Sequence, residues 1–303
     1  MEMFNAKVLK QRIGNLKKSK KLNILEQVEE YVISKCKEVG LEHSYDVMAE
    51  EMPYFKTMGY TEYGTNFIMQ PLNFKLRTEQ ISDAFYDNNS NDLLDWTNYL
   101  KNNIINKTAN KYSERSNEFD KYPHKNNLVV LPGSNKIKTH SCLNKLKAIA
   151  ATHKGDIYFK PHPITTHAVI GELKDLFGEE SILPRDIDMY YFLEKANKIY
   201  STHISESVLY AVALGKEVEP IDVYNVMSRG SFFHLNEQLY DNQLLGKEWI
   251  NKTFSSYKSG IINPSVDIDW KKKVDLYIDY IIKKRLKYKD WFISNPEKTK
   301  GKK

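Results

Sequence analysis

The chain has 303 residues, 41% of them hydrophobic and 28% charged, which is material for one large domain or two ordinary ones. With 13 glycines and 10 prolines it is neither collagen-like nor a disordered chain, and it holds no apolar run long enough to span a membrane. The formal charge of +6 is uneven: residues 7–21 hold seven Lys/Arg and no acid, residues 271–303 hold twelve against four acids, and the body between them is net acidic.

Basic ends of this kind suit a polyanionic partner, a glycan or nucleic acid, or contact with an anionic membrane surface; solvated Lys-rich termini are the simpler account of the same residues. The first twenty residues lack the apolar segment of a secretory signal. Cys36 and Cys142 are too few for a disulfide framework and have no metal-ligand spacing. The expected setting is therefore the reducing cytoplasm.

Along the first 125 residues the pattern reads mainly as helices. Leu22, Leu25, Val28, Tyr31 and Val32 form an apolar stripe closed by Gly40. Leu93, Leu94, Trp96, Tyr99, Leu100, Ile104 and Ile105 form another. Between them lies an irregular piece from Met52 to Leu72, with a short strand at Phe67–Met69. Residues 107–126 are polar and read as a linker.

At Asn127 the pattern changes. Short apolar runs at Leu128–Leu131, Ile157–Phe159, Ile182–Leu183, Lys198–Tyr200 and Glu217–Ile221 alternate with helical stretches. That is the signature of βαβ units and a parallel sheet with both faces covered. Right-handed crossovers then gather the strand C-termini on one edge, where ligands bind. Trp270, Val274, Tyr277, Ile278, Ile281 and Ile282 recur at helical spacing and predict a docked C-terminal amphipathic helix. The expected fold class is α/β, in three parts: a helix-rich part over 1–125, a Rossmann-like domain over 126–260, and a C-terminal helix with a basic tail over 261–303.

Three loops at strand ends carry the chemistry. Gly133 lets the backbone approach a ligand closely, and Ser134 can donate to a phosphate; a plain helix cap uses the same residues. Lys160-Pro161-His162-Pro163 is more specific, because two prolines fix the backbone around one imidazole able to bind or protonate a phosphate oxygen. Ser201-Thr202-His203-Ile204-Ser205-Glu206-Ser207 places hydroxyls ahead of a helix, as an anion site or a capping arrangement. No Walker loop, G-x-G-x-x-G or G-x-S-x-G is present. Asp186-Ile187-Asp188 reads as a helix start rather than a metal-binding pair.

Taken together, the stretch from Leu128 to about Asn225 resembles the nucleotide-binding half of a GT-B glycosyltransferase, nearest to the capsule-polysaccharide group that includes Kdo and bacterial sialyl transferases. The resemblance implies that Gly133, Ser134, Lys160, His162, Ser205 and Ser207 line the donor phosphate and that the backbone at Leu183-Pro184 holds the base. Tyr210 stands where the group often has a ribose-binding Glu, which leaves Glu206 as the substitute. Glu62-Tyr63-Gly64 resembles the acid-x-Gly signature of the sialyl branch, making Glu62 the first candidate for the catalytic base, followed by Glu51 and Asp46. The implied activity is transfer of a sugar from a UDP- or CMP-linked nucleotide-sugar to a hydroxyl acceptor, with no resident cofactor and no metal. The implied acceptor is a capsule or lipopolysaccharide-type glycan. Two alternatives stand beside it. One is a phage-type DNA glycosyltransferase acting on hydroxymethylated pyrimidines; the other is a non-catalytic nucleotide-sugar-binding protein.

Overall fold

The computed structural model of the chain describes residues 23–45, 57–71, 74–87, 93–106, 116–133, 136–137, 141–222 and 233–294. In chain order the elements are α1 (Asn23–Glu38), β1 (Glu42–Tyr45), β2 (Thr57–Tyr63), β3 (Asn66–Pro71), α2 (Phe74–Phe85) and α3 (Trp96–Ile105). Then come β4 (Asn127–Val130), α4 (Leu143–Thr152), β5 (Ile157–Lys160), α5 (His167–Phe177), α6 (Met189–Lys195), β6 (Lys198–Ser201), α7 (Ser207–Ala213) and β7 (Glu217–Pro220). The last are α8 (Phe233–Asp241), α9 (Gly246–Ser255), β8 (Ile261–Ile262) and α10 (Trp270–Ser294). Among the described residues no helix is long and apolar enough to cross a membrane.

The chain forms two compact units, one built on Thr97–Lys247 and the other on Asn23–Trp96 with the chain from Glu248 onward. These limits differ from the sequence-based boundaries near 125 and 260. The reason is strand pairing: β8 adds to β3 through Phe67↔Ile262 and Ile68↔Ile261, which draws the C-terminal segment into the same unit as residues 57–71.

In that unit a four-stranded sheet runs in the order β1-β2-β3-β8. The region from 57 to 71, expected to be mostly irregular, is an antiparallel hairpin in which Tyr63 pairs with Asn66 across a two-residue turn. Gly64 supplies the φ of +63° needed at the first turn position. All six residues of β3 are buried, so both of its faces are covered. The expected C-terminal amphipathic helix is present as α10, with Val274, Tyr277, Ile278 and Ile281 buried at spacings of three and four. Burying each such side chain stabilises the fold by roughly 1.5–3 kcal/mol. Tyr277 Oη donates to Gln80 Oε1 at 3.0 Å, and Gln80 Nε2 donates to the carbonyls of Met69 and Ser259.

The other unit is the α/β part. Its sheet runs β5-β4-β6-β7 and every pairing is parallel. β4 and β5 are buried along their whole length, as a parallel sheet covered on two faces requires. One face packs Val129, Ile157, Phe159 and Tyr200 against Leu146, Ile149 and Leu173 of the crossover helices. The run at Ser181–Leu183 is an abbreviated strand: a 3-10 turn over Glu179–Ser181, then a single parallel bridge from Ile182 to Phe159. Asp188 caps α6 by accepting the Tyr190 N–H at 2.9 Å, which makes Asp186–Asp188 the helix start the sequence predicted. The described part of the expected linker is packed rather than free. Ser116 forms a bridge with Ile187, and the Phe119 ring stacks on Tyr191 at 3.9 Å.

Candidate functional site

The strand order fixes where a ligand fits. From β4 the chain crosses to β5 on one side, and from β6 it crosses to β7 on the other. β4 and β6 are therefore adjacent strands whose connections leave in opposite directions, the topological switch point beside which open α/β sheets bind their ligands. The loop at Leu131–Gly133 follows β4 and the loop at Thr202–Glu206 follows β6. The Pro161–Thr165 loop follows β5 on one flank, and Ile221-Asp222 follows β7 on the other.

The His162 loop is rigid for reasons beyond its prolines. Thr165 N–H donates to the His162 carbonyl at 2.8 Å, and Ile164 N–H donates to His162 Nδ1 at 3.3 Å. An accepting Nδ1 assigns the proton of the neutral ring to Nε2. Arg185 Nη1 holds the loop from outside by donating to the Thr165 carbonyl at 2.9 Å. Gly133 meets this loop closely: a Cβ there would lie 3.1 Å from Ile164 Cδ1 and 4.0 Å from His162 Nδ1. Close approach of two loops, not an unusual φ, is what the glycine provides.

Lys160 has a different part from the one expected. It is 3% exposed, and its ammonium donates to the carbonyls of Pro161 at 2.7 Å and Arg185 at 2.9 Å. It braces the loop from beneath. At Leu183-Pro184 the backbone is also committed. Leu183 N–H donates to the Phe159 carbonyl, and the Pro184 carbonyl accepts from Ile187. A nucleobase there would have to use other atoms of the segment.

On the β6 loop, Ser201, Ser205 and Ser207 form a hydroxyl chain, with Ser207 Oγ 2.9 Å from Ser201 Oγ and 2.7 Å from Ser205 Oγ. Ser207 is 2% exposed, so its hydroxyl serves this internal chain and Ser205 is the half-buried member nearer solvent. Glu206 sits half-buried at the start of α7 and makes no side-chain cap. Tyr210 is wholly buried and packs edge-on against Tyr190, a core position.

The sequence reading missed a pair on this edge. His203 Nδ1 lies 2.8 Å from Asp222 Oδ1, and His203 N–H donates to Asp222 Oδ2 at 2.8 Å. The Asp222 side chain is 2% exposed and that of His203 is 18% exposed. The imidazole stacks on Phe233 at 4.9 Å and meets Tyr240 at 4.7 Å. Asn236 Nδ2 donates to the carbonyls of both His203 and Ser205, and Tyr240 Oη donates to that of Ser201. The signal was present in outline. Ser201 pairs with Pro220 in the parallel register, so His203 and Asp222 each stand two residues beyond a matched pair.

Of the remaining candidates, Glu62 lies half-buried on β2 opposite Phe67, in the unit that does not contain His162. Ser134, Glu51 and Asp46 lie outside the described residues, as do the basic segments 1–22 and 295–303. Among the described residues no three His, Cys, Asp or Glu side chains converge as a metal site needs. No family model matches the chain, and no curated protein matches it.

Proposed function

We propose that the protein is a nucleotide-sugar-dependent glycosyltransferase of GT-B type, whose α/β unit holds the donor and whose acceptor is a hydroxyl of a polyanionic glycan. The observation that carries this reading is the grouping of loops at one topological switch point. A glycine that permits close backbone approach stands between an imidazole loop on one flank and a hydroxyl-bearing loop on the other.

In this reading the donor's phosphate lies over Gly133, and His162 Nε2 meets a phosphate oxygen. When the acceptor hydroxyl attacks the anomeric carbon, its new C–O bond forms as the bond from that carbon to the phosphate oxygen breaks. The electron pair leaves with the nucleotide, and His162 stabilises or protonates that oxygen. A carboxylate takes the acceptor's proton.

The test has two stages. A thermal-shift screen of UDP, CMP, GDP and dTDP, each free and sugar-linked, is expected to give a selective rise in Tm with one nucleotide. With that donor, His162→Ala is expected to lower kcat/KM by about 100-fold while leaving Tm of the free protein unchanged. No shift with any nucleotide, or full activity in His162→Ala, overturns the reading.

A further inference from the structure

We propose that His203, held by Asp222, is a second imidazole of the sheet-edge site and that its Nε2 contacts a phosphoryl oxygen of the bound ligand. The proposal rests on reading this edge as the phosphate site, and it adds a residue to that site which the motif pattern did not supply.

Asp222 is almost wholly buried, and its oxygens accept the backbone N–H and face the ring Nδ1 of the same residue. A buried carboxylate is an acceptor only, so Nδ1 carries a proton; Nε2 presents a lone pair in the free neutral ring and donates to a phosphoryl oxygen as the N–H of the charged ring. Among the described residues Nε2 has no hydrogen-bond partner.

Packing then fixes the ring's direction. Phe233 and Tyr240 hold its faces, and Asn236 pins the carbonyl behind it. Side chains locked in this way are what a preorganised contact requires. A second polar group on the same loop is unused: Thr202 is wholly buried, and its Oγ1 has no partner among the described residues.

Placement supplies the ligand class. β5 and β6 flank β4, so the strands that carry His162 and His203 are two spacings, about 10 Å, apart. Gly133 stands at the end of the strand between them. Two imidazoles approaching from either side of a glycine turn suit a compact polyanion, a phosphate or diphosphate group.

The experiment is a footprint of the full-length protein with diethyl pyrocarbonate, read residue by residue by mass spectrometry, with and without inorganic pyrophosphate or the nucleotide that shifts Tm. His203 is expected to react in the free protein and to be slowed about tenfold when the probe is present at ten times its Kd. Unreactive His203 in the free protein overturns the proposal. So does reaction at an unchanged rate while His162 becomes protected, a result that leaves the donor-site reading standing. Protection of neither histidine overturns both. Protection of His203 by pyrophosphate with no nucleotide binding supports the proposal and removes the donor reading. Asp222→Asn provides the positioning readout. An amide N–H facing Nδ1 reverses the tautomer, so His203 reactivity is expected to fall about tenfold in a protein that melts as a folded one; undiminished reactivity overturns the role given to Asp222.

Discussion

Lys160 Nζ and the carbonyl of Arg185 are joined at 2.9 Å across 25 residues of sequence, and Arg185 Nη1 reaches back to the Thr165 carbonyl at 2.9 Å. The loop carrying His162 is thus laced to the segment after Leu183 by two bonds running in opposite directions. The same ammonium donates to Pro161, so this buried lysine supports both ends of the crossing.

Replacing that lysine tests the brace. Lys160→Met keeps the length of the side chain and strands the two carbonyls without their donor. Each stranded group costs about 1–3 kcal/mol. Urea unfolding is expected to show a loss of about 2–4 kcal/mol, and nucleotide affinity is expected to weaken with it as the His162 loop loosens. Unchanged stability would show that the ammonium does not support the loop.

Two glycines with the same backbone angle separate strain from collision. Gly40 and Gly260 both have φ of +69°, but a Cβ on Gly40 meets nothing within 4 Å, whereas one on Gly260 would collide with the Met69 carbonyl oxygen. Gly260→Ala would also break the 2.8 Å bond from Met69 N–H to the Gly260 carbonyl that joins β3 to β8. Gly40→Ala is expected to cost about 1 kcal/mol and Gly260→Ala about 3 kcal/mol or more, compared by thermal or urea unfolding. Equal costs would contradict the close packing at Gly260.

Lys273 gives a pH dependence with a definite sign. Its ammonium is buried, donates to the Phe254 carbonyl at 2.5 Å and lies 5.1 Å from the Trp96 ring centroid. Burial pushes its pKa down to about 8, with Asp267 opposing the change. Between about pH 8 and the unfolded value near 10.4, the unfolded chain binds the proton that the folded one has released, so stability rises with pH across that window. Relative to Lys273→Met, the wild-type protein is expected to gain up to about 3 kcal/mol between pH 7.5 and pH 10.5, measured by urea unfolding of both. A flat difference would show that the charge is not held in an apolar setting.

Legibility in the sequence followed local information. β4, β5 and β6 stood out because Leu128–Val130, Ile157–Phe159 and Ile199–Tyr200 are compact apolar runs, each closed by a turn. The β2–β3 hairpin was read only as a short strand at Phe67–Met69, because β3 is buried on both faces and so shows no alternation, and β2 mixes Gly59, Thr61 and Glu62 among its aromatics. The membership of the C-terminal segment depended on a two-residue strand, too short to announce itself. In the strand-end loops, the rigidity of the His162 turn was readable from its flanking prolines. The burial of Lys160 and Ser207 was not, since a lysine before a proline and a serine ahead of a helix look the same whether they face a ligand or a carbonyl. His203 and Asp222 are 19 positions apart, and only the parallel register of β6 and β7 makes them neighbours.

A single amide governs how far the β6 loop can move. Asn236 grips two carbonyls spaced two residues apart, so the turn is tethered to α8 at both shoulders. Displacement of this turn must recruit that whole helix, so substitutions on the far side of α8 are able to alter the loop without touching it.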